Sequence, residues 1–181
     1  MLIVVQILVY QETAVPGFAP RPASGMQDLS SEADLQARFA QDIGHTRLLL
    51  LISPTRPECR RGASWVQNEI LSKHPQADLD VYVVWFNMFP GDTRWRWDGD
   101  EMTDPRVVHY SDERESVGTW FSANLTERGS PTWDFYALYP PDAHDSSALT
   151  GFGGGAQGGG TIIGHHAQLA AAIAPLLQPK S

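Results

Sequence analysis

The chain has 181 residues, with 13 Lys and Arg against 21 Asp and Glu for a formal charge of −8, and it carries one cysteine. That length suits a single compact domain with appendages, and 42% apolar against 19% charged residues is enough to build a core. The acidic balance argues against phosphate-backbone binding, so nucleic acid is not an expected partner. A single cysteine excludes an intrachain disulfide framework, a cysteine-rich zinc ribbon and a two-cysteine redox motif.

Residues 1–10 (MLIVVQILVY) are strongly apolar. They lack the basic flank and small-residue cleavage site of a secretory signal, and they are half the length of a membrane span. A buried strand is the expectation, with a mis-assigned start or a truncated signal as the alternatives. Residues 11–30 are rich in Pro, Gly and Ser, including Pro16, Pro20 and Pro22, and read as a linker. The domain is therefore expected over 31–178.

Ser31 is placed to cap a helix carrying Leu35, Phe39 and Ile43 on one stripe, with Gly44 ending it. Residues 48–52 (LLLLI) form a short continuous apolar run, the pattern of a strand covered on both faces. Thr55-Arg56-Pro57-Glu58 then fits a capping box with Pro in the first turn. The helix it opens sets Cys59, Ala63, Val66 and Ile70 on one face and runs to about Lys73. Residues 79–86 (LDVYVVWF) read as a second buried strand.

A long irregular stretch, 87–105, follows, and residues 107–110 read as a short strand. Asp112 is expected to cap a helix bearing Val117, Phe121 and Leu125. Residues 132–139 (TWDFYALY) alternate in part and are rich in aromatic residues, as strands are. The second long loop, 140–160, contains GFGGGAQGGG. Its glycines match a dinucleotide fingerprint only formally, because a strand-like TIIG at 161–164 follows where a helix should open; a hairpin loop is expected. Residues 168–177 form an apolar final helix. The predicted order is β-α-β-α-β-α-β-β-α, which implies an α/β fold with a central mixed sheet and helices on both faces.

That order resembles the thioredoxin-like superfamily. In that family a central strand runs into Cys-x-x-Cys at the start of the second helix, and here residues 48–52 run through Ser53-Pro54-Thr55 into Arg56-Pro57-Glu58-Cys59. A Pro-Thr pair with the proline in cis opens a later strand of the family, and Ser130-Pro131-Thr132 is similar. Gly160-Thr161-Ile162-Ile163-Gly164 with Leu169 resembles the family's last strand and helix. The resemblance covers about 45–177 and implies a thioredoxin fold. Arg56 then stands where the exposed attacking cysteine would be, and Cys59 keeps the inner position. A second register, with Cys59-Arg60-Arg61-Gly62 as the motif, would make Cys59 the nucleophile of a monothiol site. The capping box favours the first, with Cys59 at the fourth helical position.

Thiols react as thiolates, whose pKa falls near helix N-termini and basic side chains. Arg56, Arg60 and Arg61 flank Cys59, and Glu58 opposes them. One reading is therefore a one-cysteine thiol-disulfide oxidoreductase or peroxidase-like enzyme. In it Cys59 reacts, Arg56 and Arg60 stabilise its thiolate, and Pro131 with Ser130 and Thr132 shapes the substrate groove. Its partner is a protein thiol or disulfide, or glutathione, because a lone thiol needs a second one for resolution. The other reading makes Cys59 a small buried apolar group in a redox-inactive binding or adaptor module.

Trp95 and Trp97, in TRWRW at 93–97, are candidates for a lid or a partner contact over the groove. Asp92, Asp98, Asp100, Glu101 and Asp104 read as a solvated acidic loop. No histidine pair has i,i+4 metal spacing and no Gly-x-Ser-x-Gly elbow occurs, so neither a metal nor another cofactor is expected. With neither a complete signal nor a membrane span, the expected location is cytoplasmic.

Overall fold

Two runs expected as buried strands lie side by side at the centre of a six-stranded mixed sheet. The computed structural model describes residues 25–97, 101–126, 130–143, 152–153 and 160–177. In chain order the elements are β1 (Gln27–Asp28), α1 (Glu32–Gln41), β2 (Thr46–Ile52), α2 (Pro57–Trp65), β3 (Leu79–Phe86), β4 (Val107–Asp112), α3 (Ser116–Phe121), β5 (Phe135–Tyr139), β6 (Phe152–Gly153) and α4 (His166–Ile173). The sheet order is β1-β4-β3-β2-β5-β6. β2 runs parallel to β3, with Leu50 opposite Val83, and antiparallel to β5, with Leu49 opposite Ala137. Every residue of β2 and β3 is buried.

Period-2 alternation splits the strands between two cores. Leu48, Leu50 and Ile52 of β2 face Cys59 and Ala63 of α2 and Leu169 and Ile173 of α4. Leu49 and Leu51 face Leu35 and Phe39 of α1 and Val117 and Phe121 of α3. The helices thus cover both faces, and the α/β architecture expected of the chain is the one observed. Arg47 is a wholly buried cation at the lower end of β2. It is tolerated because its Nη groups donate to the carbonyls of Phe39, Pro140 and Ala143 at 3.1, 3.2 and 2.6 Å, and because the guanidinium lies 4.1 Å from the Phe39 ring centroid.

Several local expectations are corrected. Thr55 does not cap α2: its hydroxyl donates to Asp92, Arg56 takes the N-cap position, and Cys59 becomes the third helical residue. Beyond Trp65 the same helix continues with wider π-type turns over Val66–Leu71. Residues 161–164 are not a strand. Ile163–His165 is a 3-10 turn, and Ile162 is pinned in the core against Gly62, where an added Cβ would come within 2.9 Å of it. β5 pairs instead with Phe152–Gly153, inside the glycine-rich stretch. β1 falls in the segment read as linker, since two edge residues are too short to carry a periodic signal. The strand expected at 1–10 lies outside the described residues.

Candidate functional site

Parallel strands direct their carboxyl ends to one edge of a sheet, where α/β proteins place ligands. Here the loops after β2 and β3 meet at that edge, and one buried carboxylate ties them together. Asp92 accepts hydrogen bonds from the Ser53 hydroxyl at 2.9 and 3.0 Å, the Thr55 hydroxyl, and the backbone N–H groups of Met88 and Phe89 at 3.1 and 2.9 Å. The sequence reading placed Asp92 and Glu101 in a solvated acidic loop. Both are buried and engaged, Glu101 by Arg60, while Asp104 binds Arg106; Asp98 and Asp100 lie outside the described residues. Clusters of acids look solvated in sequence because their partners are remote, here 39 residues away for Ser53.

The third wall is the segment before β5. Thr132 N–H donates to the Gly118 carbonyl of α3 at 2.9 Å. Asp134 adopts a left-handed backbone (φ 50°), and its Oδ1 accepts the Ile162 N–H at 2.9 Å. The described residues contain no cis peptide bond, so Ser130–Pro131 is trans, unlike the family pattern. β5 starts only at Phe135.

Cys59 is 0% exposed, beneath this edge. Burial pushes its thiol pKa far up, and the neighbouring Asp134 charge pushes it further; a backbone hydrogen bond from Ser53 and the Arg56 charge act the other way and fall short. Burial likewise raises the Asp134 carboxyl, while the Ile162 hydrogen bond and Arg56 lower it. Asp134 Oδ2 is buried without a hydrogen-bond donor. The thiol and this carboxyl act on each other at close range, which raises the one and lowers the other. These two groups form a sealed pair: a thiol held protonated beside a desolvated acid.

Arg56 occupies the mouth. Its guanidinium carbon lies 4.9 Å from the Phe89 ring centroid and 5.1 Å from that of Trp133. The two rings meet edge to face at 87° with centroids 5.4 Å apart, forming a corner around the cation. Of the residues singled out from sequence, Cys59 and Arg56 meet here, while Pro131 and Thr132 lie in the segment leading to Trp133 and Asp134 and pack on Gly118 of α3. Ser130 is exposed at the rim and Thr132 is buried. Arg60 points elsewhere, paired with Glu101. Trp97 packs 4.7 Å from the His109 ring and 6.2 Å from Trp85, whereas Trp95 is 88% exposed.

Sequence reasoning missed Asp92, Phe89, Trp133 and Asp134. The Pro-Gly dipeptide immediately before Asp92 was an available sign of a tight turn there. Trp133 and Asp134 were hidden inside an aromatic run that reads as strand. Among the described residues no three His, Cys, Asp or Glu side chains gather as metal ligands, and no helix is long and apolar enough to cross a membrane.

No family model matches the chain, and no curated protein matches it in sequence. Among solved structures it resembles a provisionally named protein disulfide isomerase from Bacteroides thetaiotaomicron, at 12% identity and a TM-score of 0.50, covering 77% of each chain. It also aligns with a thioredoxin-like protein in the oxidized form at 16% identity and with a secreted Mycobacterium tuberculosis disulfide oxidoreductase at 14% identity. Both give TM-scores of 0.47 and add nothing to the fold argument. With its sheet order, two-faced helix cover and the first of these likenesses, the chain is thioredoxin-like in fold.

Proposed function

We propose that this chain is a thioredoxin-fold binding module that engages a protein segment at the Arg56–Phe89–Trp133 corner and performs no dithiol exchange. One observation carries this reading: Cys59 is wholly buried with its pKa raised, while the half-buried Arg56 stands at the mouth in front of it. Attack on a disulfide requires a thiolate that reaches the partner's sulfur. Cys59 meets neither condition, and the chain has no second cysteine to resolve a mixed disulfide. A site without thiol chemistry works in the reducing cytoplasm, where we place the protein.

The Asp134 carboxyl favours a second reading. Its unpartnered oxygen beside the thiol is a group able to take the Cys59 proton. Opening of residues 130–134 would then expose Cys59 to a protein disulfide or to oxidised glutathione. The Cys59 sulfur would bond to one sulfur of that disulfide and the other would leave as a thiolate. Iodoacetamide labelling separates the two. The binding reading expects no carbamidomethylation of native protein at pH 8 and complete labelling in guanidinium chloride. Native labelling at the rate of a free cysteine would overturn it in favour of the thiol reading.

A further inference from the structure

We propose that Arg56 is a carboxylate receptor: its guanidinium, cornered by Phe89 and Trp133, pairs with a single carboxylate on the bound protein segment. The inference rests on the binding-module reading and names the chemistry its site recognises.

Arg38, Arg60, Arg61, Arg94 and Arg106 each pair with a carboxylate of the chain. The Arg56 side chain makes no hydrogen bond or ion pair among the described residues, in a protein with 21 acidic side chains against 13 basic ones. Its guanidinium lies against two aromatic faces and acts on Asp134 and Cys59 only through space. Ring faces hold a cation in place without using its N–H groups, so the donors stay free for a ligand.

Arg56 is half-buried, and its Nε is sealed off without a partner, which leaves the two Nη groups as the available donors. Two parallel N–H donors match the two oxygens of a planar carboxylate. The corner is also pre-set: Asp92 fixes the backbone of Phe89 and the loop leading into Arg56. Little ordering is then left to oppose binding.

Arg60 and Arg61 are committed to Glu101 and Glu58. Glu58 and Arg56 both act electrostatically on Asp134, so the corner presents one cation without an ion-pair partner and two acids nearby. That arrangement accepts a monoanion and opposes a phosphate dianion. The positive end of α2, whose N-cap is Arg56, adds to the attraction.

The test is an NMR titration followed at the Trp133 indole N–H, assigned with Trp133→Phe. The probes are N-acetylglycine for a chain-terminal carboxylate, N-acetylaspartic α-amide for a side-chain carboxylate, N-acetylglycinamide as the uncharged control, and inorganic phosphate. Saturable shifts are expected with either carboxylate and none with the uncharged amide; the tighter of the two identifies the source. Arg56→Gln is expected to weaken the response at least tenfold, and Arg56→Lys, which keeps the charge and loses the fork, to weaken it less. Equal shifts with the uncharged amide, tighter binding of phosphate, or an unchanged Arg56→Gln response would each overturn the assignment. If Cys59 stays inert to iodoacetamide while no carboxylate binds, this inference alone fails. Native labelling of Cys59 removes the module reading itself.

Discussion

Asp134 holds three unusual properties in one residue: a left-handed backbone, a buried carboxyl and a thiol neighbour. The backbone explains the residue type, because Asp and Asn tolerate φ > 0 far better than branched side chains. The burial has a measurable cost. It raises the folded-state pKa above the ordinary 3.8, so the native state keeps a proton that the unfolded chain has released. By linkage, stability then falls as pH rises from about 4 until the buried carboxyl itself ionises, by at most ~1.4 kcal/mol per pH unit. Asp134→Asn keeps an Oδ1 acceptor for Ile162 N–H and cannot ionise. Urea unfolding from pH 4 to 7 should show the variant gaining on the parent as pH rises; a flat difference would mean that this carboxyl is not linked to folding. None of this was legible in the sequence. The lone cysteine could be placed on its helix from local signals, but an acid 75 positions away reaches it only through the tertiary fold.

At the scale of elements, the site depends on α3 approaching the segment before β5 without a side chain between them. Gly118 makes this possible: a Cβ there would lie 2.7 Å from the Thr132 carbonyl oxygen and 3.3 Å from Pro131 Cβ. On an open helix surface Gly→Ala would gain about 0.5–1 kcal/mol. Here the contact is with backbone, which cannot swing aside, and forced overpacking costs about 1–3 kcal/mol. Strain should win. Gly118→Ala is expected to lower the unfolding free energy in urea and to shift the Trp133 indole resonance as residues 131–133 move off α3. An unchanged or raised stability would show that the segment yields freely. Elements themselves were largely readable: β2, β3, the α2 face, Leu35 and Phe39 of α1, and Asp112 binding the Ser116 and Val117 N–H groups at 3.0 and 2.8 Å follow from local patterns, whereas Ile43, expected on the α1 stripe, lies past the helix end at Gln41 and is exposed. The errors fell where a distant partner won. Thr55 has a good capping sequence, yet the Asp92 carboxylate takes its hydroxyl.

Across the whole molecule, two buried titratable groups act on stability in opposite pH directions from opposite sides of β3 in the strand order. Asp134 leads into β5, whereas His109 lies on β4. His109 accepts the Trp85 indole N–H at Nδ1 (3.0 Å) and donates from Nε2 to the Met102 carbonyl (2.9 Å), which fixes a neutral tautomer. The imidazole thereby ties β3 and β4 to the connection between them, where the Trp97 ring packs against it at a tilt of 43°. Sequence showed only one of six scattered histidines; the contacts that make it structural come from three separate segments. Burial lowers its folded-state pKa below 6.5. A proton added at Nδ1 would also displace the Trp85 bond. The unfolded chain therefore takes up a proton below pH 6.5 that the native state refuses, and stability present above that pH is lost as pH falls. The slope contributed approaches about 1.4 kcal/mol per pH unit while the folded-state group stays neutral. His109→Gln retains one acceptor and one donor and has no such titration. Between pH 6.5 and 5, the parent should lose stability faster than the Gln variant in urea unfolding, and the other carboxylates cancel in that difference. Parallel slopes would show that His109 charges freely in the fold, and that the 97–102 connection does not depend on its neutrality.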